Sequence, residues 1–179
     1  MIIEIGTSDF RTLAGKEEGI FIEPIKYYFD RLPQCNKENV AISNIEGVID
    51  IYYIPADIIE KENLPDYLRG CNSVNSIHPT IIDLGLSIYA VQETVKVVRI
   101  KSIIDKYNVK SIDLLKVDTE GHDCVILNDF LDTVEIFPKV IQFENNILSD
   151  KAEVNEMIKR LSSMYTCRQI KSDMVCKLK

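Results

Sequence analysis

Apolar positions along the chain recur in two rhythms, one of short strands and one of helical faces. Residues 2–5 form an apolar strand interrupted only by Glu4, and a turn follows at Gly6. Ser8 or Asp9 is placed to cap a short helix running through Leu13. Residues 19–23, GIFIE, predict a second buried strand that ends in a carboxylate. Pro24 then opens a helix to about Leu32, with Ile25, Tyr28, Phe29 and Leu32 on one face. A third strand is predicted over 38–42, and residues 48–54, β-branched and alternating, predict its partner across a turn.

The pattern weakens from Pro55 to about Gln92. Residues 57–67 have helical spacing broken by Pro65, and 69–79 (RGCNSVNSIHP) are polar and turn-rich. A segment of that length in a compact domain is more than a connector, and a lid or binding loop is the functional reading. Strand character returns over 95–100, followed by a short helix over 102–107. Residues 112–117 predict a buried strand, and a helix follows to about Leu131. Residues 139–143 predict another strand, 151–164 an amphipathic helix, and 165–170 with 174–178 a terminal hairpin. Strands alternating with helices, then a hairpin, predict an α/β fold: a mostly parallel, doubly wound sheet with an antiparallel C-terminal hairpin edge. The length of 179 residues suits one domain over 1–179, with an insertion at about 55–92.

Composition narrows the partners. The net charge of -7 disfavours a generic nucleic-acid binder, which carries a basic face. No apolar run approaches the length of a membrane span, and the first residues carry no basic, cleavable leader. Five cysteines, an odd count with no CxxC pair, read as reduced thiols in a cytoplasmic protein, with a zinc site disfavoured.

Carboxylates gather at predicted strand ends: Glu4 before Gly6, Glu23 after the second strand, Asp118 after the strand at 112–117, and Glu144-Asn145 after the next. In a nucleotide-binding α/β fold, an acid ending the second strand accepts both ribose hydroxyls, and Glu23 holds that position. The first turn, GTSDFR, lacks the GxGxxG that lets a pyrophosphate approach the backbone. Asp9 would repel a pyrophosphate, whereas Asp9 or Glu4 would favour a ligand bearing a sulfonium and an ammonium. That tilts the reading from a nicotinamide dinucleotide toward S-adenosylmethionine.

The stretch LLKVDTEGHDCVIL, residues 114–127, joins an apolar strand, an acidic turn at Gly121 and an amphipathic helix. It resembles the signature of FkbM-type S-adenosylmethionine-dependent methyltransferases. KVIQFEN resembles that family's next strand, and EIGTSDF, FIEP and AISNIEG sit where it has its cofactor loop, ribose acid and turn after the third strand. The likeness is densest over 95–144. This chain lacks the second glycine usual in the first loop and the usual N-terminal covering helix, and His122 replaces a small residue. The middle loop, or a partner subunit of a homo-oligomer, is left to supply a lid.

The resemblance implies a Rossmann-like class I methyltransferase with S-adenosylmethionine as cofactor. By position, Glu4, Gly6, Ser8 and Asp9 would line the cofactor's amino-acid end, Glu23 would hold the ribose, and Ala41, Ile42 and Ser43 would border the adenine. Asp118 would lie between cofactor and acceptor, the acceptor being a hydroxyl of a carbohydrate or small polar natural product. Transfer to a hydroxyl requires a base, and His122 and His78 are the two histidines that can serve. Asp118, Glu144 and Asn145 are oxygen donors suited to Mg²⁺, which would acidify and orient the hydroxyl. The competing readings are a catalytically silent module of the same fold and, against the missing glycines, a nicotinamide-dependent oxidoreductase.

Overall fold

Eleven strands and six α-helices make up the described residues, 1–8, 12–74, 76–146 and 149–179 of a computed structural model. In chain order they are β1 (Ile2–Ile5), β2 (Gly19–Ile22), α1 (Lys26–Arg31), β3 (Asn36–Glu38), β4 (Ala41–Ile42) and β5 (Gly47–Tyr53). Then come α2 (Ala56–Lys61), β6 (Ser73–Val74), α3 (Pro79–Asp83), β7 (Val91–Val98), α4 (Ile100–Lys106) and β8 (Leu114–Val117). The chain closes with α5 (Asp123–Thr133), β9 (Val140–Glu144), α6 (Lys151–Leu161), β10 (Tyr165–Ile170) and β11 (Asp173–Leu178). Short 3₁₀ turns at Asp66–Gly70 and Ser87–Tyr89 punctuate the middle.

Seven strands form the main sheet in the order β10-β11-β9-β8-β1-β2-β3. The five strands from β9 to β3 are parallel, and β11 and β10 add the antiparallel edge. The order of strands reverses between β1 and β8, where Glu4 lies opposite Lys116. One face of this sheet is apolar: Ile3, Ile5, Ile20, Ile22, Leu115, Val117, Ile141 and Phe143 pack under α4, α5 and α6. Each such fully buried side chain contributes about 1.5–3 kcal/mol relative to exposure. The alternate residues face the other way, and there the strands are polar: Glu4, Lys116 and Gln142 beside Phe21.

The expectation of one sheet is corrected. A second sheet of four strands, β4-β7-β5-β6, holds the strand predicted over 48–54, the one predicted over 95–100 and half of the one predicted over 38–42. The predicted strand 38–42 is broken because the Asn39 amide donates to the carbonyls of Glu23 and Pro24. β3 thus stays beside β2 while β4 pairs with β7. β7 alternates polar and apolar residues, the mark of a strand with one face buried. Ile25, Tyr28, Ala41, Ile49, Ile51, Val95 and Val97 form the core between this sheet and α1.

The predicted helix after the first turn includes residues 9–11, outside the described residues; Thr12 and Leu13 are in no helix. The middle segment has its own small core of Ile54, Ile59, Leu68, Cys71 and Ile81. The reading of all thiols as reduced is also corrected. Cys167 and Cys176 face each other across the terminal hairpin and are joined in a disulfide, a pairing that spacing in sequence does not signal. Cys35, Cys71 and Cys124 are free. Among the described residues no helix is long and apolar enough to cross a membrane.

Gly6, at φ 79°, lies so close to β8 that a Cβ there would stand 1.9 Å from the Asp118 carbonyl oxygen. Both the left-handed backbone and the contact exclude a side chain. Gly6→Ala is expected to destabilise the fold by about 3 kcal/mol. Urea unfolding measures it, and a loss below about 1 kcal/mol would show that the loop relaxes away from Asp118.

Candidate functional site

The carboxyl ends of β1, β2, β8 and β9 open into a cleft of about 620 Å³. Gly6, Thr7 and Ser8 border it from the first loop, Glu23, Pro24 and Ile25 from the end of β2, and Val40, Ala41, Ile42 and Ile51 from an apolar side. Asp66, Tyr67, Gly70, Asn72, Ser73 and Val74 close it from the middle segment. Lys116, Asp118, Thr119, Glu120, His122, Gln142 and Glu144 line the remaining wall with Ser172 and Asp173. Among the described residues the lining carries six carboxylates (Glu23, Asp66, Asp118, Glu120, Glu144, Asp173) and one ammonium, Lys116.

The turn after β8 follows from its residues. Gly121 has φ 101°, and Glu120 is held at φ 53°, a left-handed conformation that costs a side-chain-bearing residue about 1–2 kcal/mol. The buried Asp123 clamps this turn. It accepts from the Thr119 backbone N–H at 2.9 Å and hydroxyl, and from the Glu144 N–H at 2.8 Å. Burial pushes its carboxyl up to about 7 against the pull of those bonds. Asp123 therefore ties the end of β9 to the turn, and the acids of both strands meet. Asp118, Glu120 and Glu144 each present an oxygen within 4.8 Å of the others.

Glu144 carries the strongest consequence of that crowding. One oxygen accepts from the Asn146 amide at 2.9 Å, and Oε2 is buried with no partner among the described residues. Burial, then Glu120, Asp118, Asp123 and Asp173, push its carboxyl up to about 9. Asp118 is also raised by burial, with Lys116 opposing.

The residues singled out in the sequence divide clearly. Gly6, Ser8, Glu23, Ala41, Ile42, Asp118, His122 and Glu144 border the cleft. Glu23 is buried, accepting the Ser8 N–H at 2.8 Å on one oxygen and the Ile25 N–H at 2.9 Å on the other. Glu4 is not in the lining. It is fully buried beneath it, accepting the Thr12 hydroxyl at 2.7 Å, the Leu13 N–H at 2.9 Å and the Lys116 ammonium at 2.8 Å. Asp9 lies outside the described residues. Ser43 stands just beyond the cleft, 2.9 Å from His122 Nε2, on a smaller cavity of about 310 Å³ that His122 also borders. Burial pushes the His122 imidazole down, so it is neutral near pH 7.

His78 is 1% exposed and does not line the cleft. Its Nδ1 accepts the Thr80 N–H at 3.2 Å as the cap of α3, so Nε2 carries the proton and donates to Glu120 at 3.3 Å. It holds a carboxylate of the turn in place and is not positioned as the base. Asn145 likewise turns away: its amide donates to Gln169 and its oxygen accepts from Lys151. Glu120 takes the place that the sequence suggested for Asn145.

Thr7, Lys116, Gln142 and Asp173 were not singled out from sequence. Lys116 and Gln142 had a legible signal: each is a polar residue interrupting an apolar strand, in step with Glu4 across the ladder. Asp173 joins the cleft through the hairpin, where it accepts from the Gln142 amide at 2.7 Å.

The raised Glu144 carboxyl fixes a pH trend. Its folded-state value of about 9 lies above the ordinary 4.5, so its contribution to stability is complete below that lower value and is lost as pH rises toward the upper one. In EDTA-containing buffer the Tm is expected to fall between about pH 5 and about pH 9, and Glu144→Gln is expected to flatten that fall. A parent and variant with parallel pH profiles would place the proton elsewhere.

No curated protein matches the chain in a sequence comparison. A family model described as the methyltransferase FkbM domain matches residues 4–165, from the first strand through the start of the terminal hairpin. The chain therefore belongs to the FkbM methyltransferase domain family.

Proposed function

We propose that the chain is an S-adenosylmethionine-dependent O-methyltransferase acting on a hydroxyl of a carbohydrate or small polar natural product. The observation that carries this reading, beyond the family, is the charge of the cleft: among the described residues six acidic side chains, of which Glu144 is held protonated near neutral pH, stand against one ammonium. A sulfonium ligand gains from that field, and a dinucleotide pyrophosphate is repelled by it. The strand order, reversing between β1 and β8, supports a Rossmann-like class I arrangement with the ligand beyond the carboxyl ends at the reversal. The apolar side formed by Ile25, Val40, Ala41 and Ile42 suits an adenine. Glu23, at the end of β2 and on the cleft wall, holds the position from which an acid of this fold accepts ribose hydroxyls. In this reading Asp118 stands where the methyl group leaves, and it or the neutral His122 receives the acceptor proton during in-line attack.

Asp118, Glu120 and Glu144 fit a hard divalent cation such as Mg²⁺: all are oxygen donors, and the unpartnered Glu144 Oε2 is among them. When bound, such an ion supplies charge that lowers the pKa of a nearby hydroxyl and orients it. His78 then serves the set by fixing the Glu120 carboxylate.

Calorimetric titration with S-adenosylhomocysteine tests the cofactor. Binding to the parent is expected, with Glu23→Ala weakening it about ten-fold or more and Asp118→Ala folding normally yet abolishing methyl transfer to glycan acceptors. A parent that ignores the ligand at high micromolar concentration would refute the reading. Binding with no turnover on a broad glycan panel would favour a silent module. The ion is tested separately by thermal unfolding. Mg²⁺ displaces the proton on Glu144, so it is expected to raise Tm more at about pH 9 than at about pH 6. Equal Tm with Mg²⁺ and with EDTA at both values would sink the metal.

A further inference from the structure

Among the described residues of the cleft wall, Tyr67 is the aromatic one, and it belongs to none of the cores. It is 55% exposed, high for a large ring. The cause is local. In the 3₁₀ turn Asp66–Gly70, Leu68 enters the core of the middle segment and is fully buried, so the residue before it faces outward. The turn is firmly mounted. Leu68 anchors it from within, and Arg69 joins Asp66 at 2.9 Å and Glu60 of α2 at 2.6 Å. A ring carried on such a turn loses little freedom when a ligand lies against it.

We propose that Tyr67 is an acceptor-binding residue whose ring is the platform for an uncharged sugar ring, an assignment that deepens the methyltransferase reading above and rests on it. A sugar ring has an apolar face of C–H groups and an edge of hydroxyls, and an aromatic ring with a polar group beside it matches both. Asp66 adjoins Tyr67 on the same wall, and its exposed carboxylate accepts from hydroxyls. The charge beside the ring sets the class of sugar. Glu60 and Asp66 share the one charge of Arg69, so these three side chains keep a net negative charge. A uronic acid or a phosphorylated sugar is repelled there, and a neutral ring is not. The apolar side formed by Ile25, Val40, Ala41 and Ile42 suits the adenine, which leaves the aromatic ring for the second substrate. Tyr67 and Glu120 line one cleft, and the His78–Glu120 hydrogen bond ties their two segments together. A sugar on Tyr67 therefore lies in the cleft that Asp118 and His122 also border.

The chain has no tryptophan, so Tyr67→Trp keeps an aromatic platform and makes it the only indole. S-adenosylhomocysteine is first titrated calorimetrically against the parent, Tyr67→Ala and Tyr67→Trp, and the three affinities are expected to agree. The methyl glycosides of glucose, galactose, mannose, N-acetylglucosamine and glucuronic acid are then titrated against each ligand-saturated protein. Saturation-transfer NMR follows the parent, Tyr67→Phe and Tyr67→Ala, and indole emission follows Tyr67→Trp. At least one neutral glycoside is expected to bind the parent and to change the indole emission saturably. Tyr67→Ala is expected to weaken it about ten-fold, and Tyr67→Phe to retain it. The glucuronic acid glycoside is expected to bind more weakly than that of glucose, by a margin that narrows with added salt. The assignment is overturned if no neutral glycoside binds the parent, or if Tyr67→Ala binds one as tightly as the parent does. A loss of S-adenosylhomocysteine affinity in Tyr67→Ala also overturns it and gives the ring to the adenine. Equal binding of the glucose and glucuronic acid glycosides overturns the selection of uncharged sugars. In all these results the parent still binds S-adenosylhomocysteine and the cofactor reading survives. A parent that ignores that ligand, before any glycoside is added, overturns the methyltransferase reading and the assignment with it.

Discussion

A carboxylate with no solvent exposure, Glu4, sits at the centre of the main sheet and must be neutralised there. Its partner is Lys116, directly opposite on β8, and the rest of the site follows from that pairing. The pair fixes the register of β1 against β8, because a slip of one residue would turn the charge of the moving strand into the apolar face under α4 to α6 and leave its partner unpaired. With the register fixed, Gly6 meets the Asp118 carbonyl and the first loop folds over the end of β8. Glu4 also receives Thr12 and Leu13, so the far end of that loop is tied to the same carboxylate. Replacing the pair by apolar residues of similar volume would satisfy packing but would remove the anchor of the loop.

Among the described residues three acidic groups crowd within 4.8 Å at this edge. Such a cluster is held by structure around it. Asp123 ties the turn to β9 from within the core. His78 reaches in from the middle segment to hold Glu120 in its left-handed conformation. The site is thus assembled by two side chains that do not line it, one from each side.

Much of this was legible in the residues. The strand-turn-helix at 114–127, the carboxylate Glu23 closing β2 and the antiparallel hairpin are local patterns, and local patterns survive folding. Gly121 was needed for the turn and has the positive φ that the turn requires. What escaped depends on pairing partners. Residues 38–42 look continuous, and only the bonds from Asn39 to the carbonyls of residues 23 and 24 divide them between sheets. Glu4 was read as a ligand-facing acid because a strand-end carboxylate looks the same whether solvent or Lys116 satisfies it. Asn145 and Glu120 exchanged places because side-chain direction at a turn is set by neighbours such as Lys151 and His78, distant in sequence or across a loop. The Cys167–Cys176 bridge depends in the same way on hairpin register.

The wall of the cleft from Asp66 to Val74 belongs to a segment packed on its own core of Ile54, Ile59, Leu68, Cys71 and Ile81. The floor belongs to the main sheet and a different core. A boundary of that kind makes the molecule modular. Exchange of the middle segment changes the surface offered to an incoming acceptor and leaves the ladder between β1 and β8 intact. Among the described residues the His78–Glu120 hydrogen bond ties the modules together at the acid cluster, so a swapped segment must bring a donor of its own to that point. Diversification of acceptors within one scaffold therefore carries a narrow entry condition: the inserted segment keeps a core of its own and a group that meets Glu120.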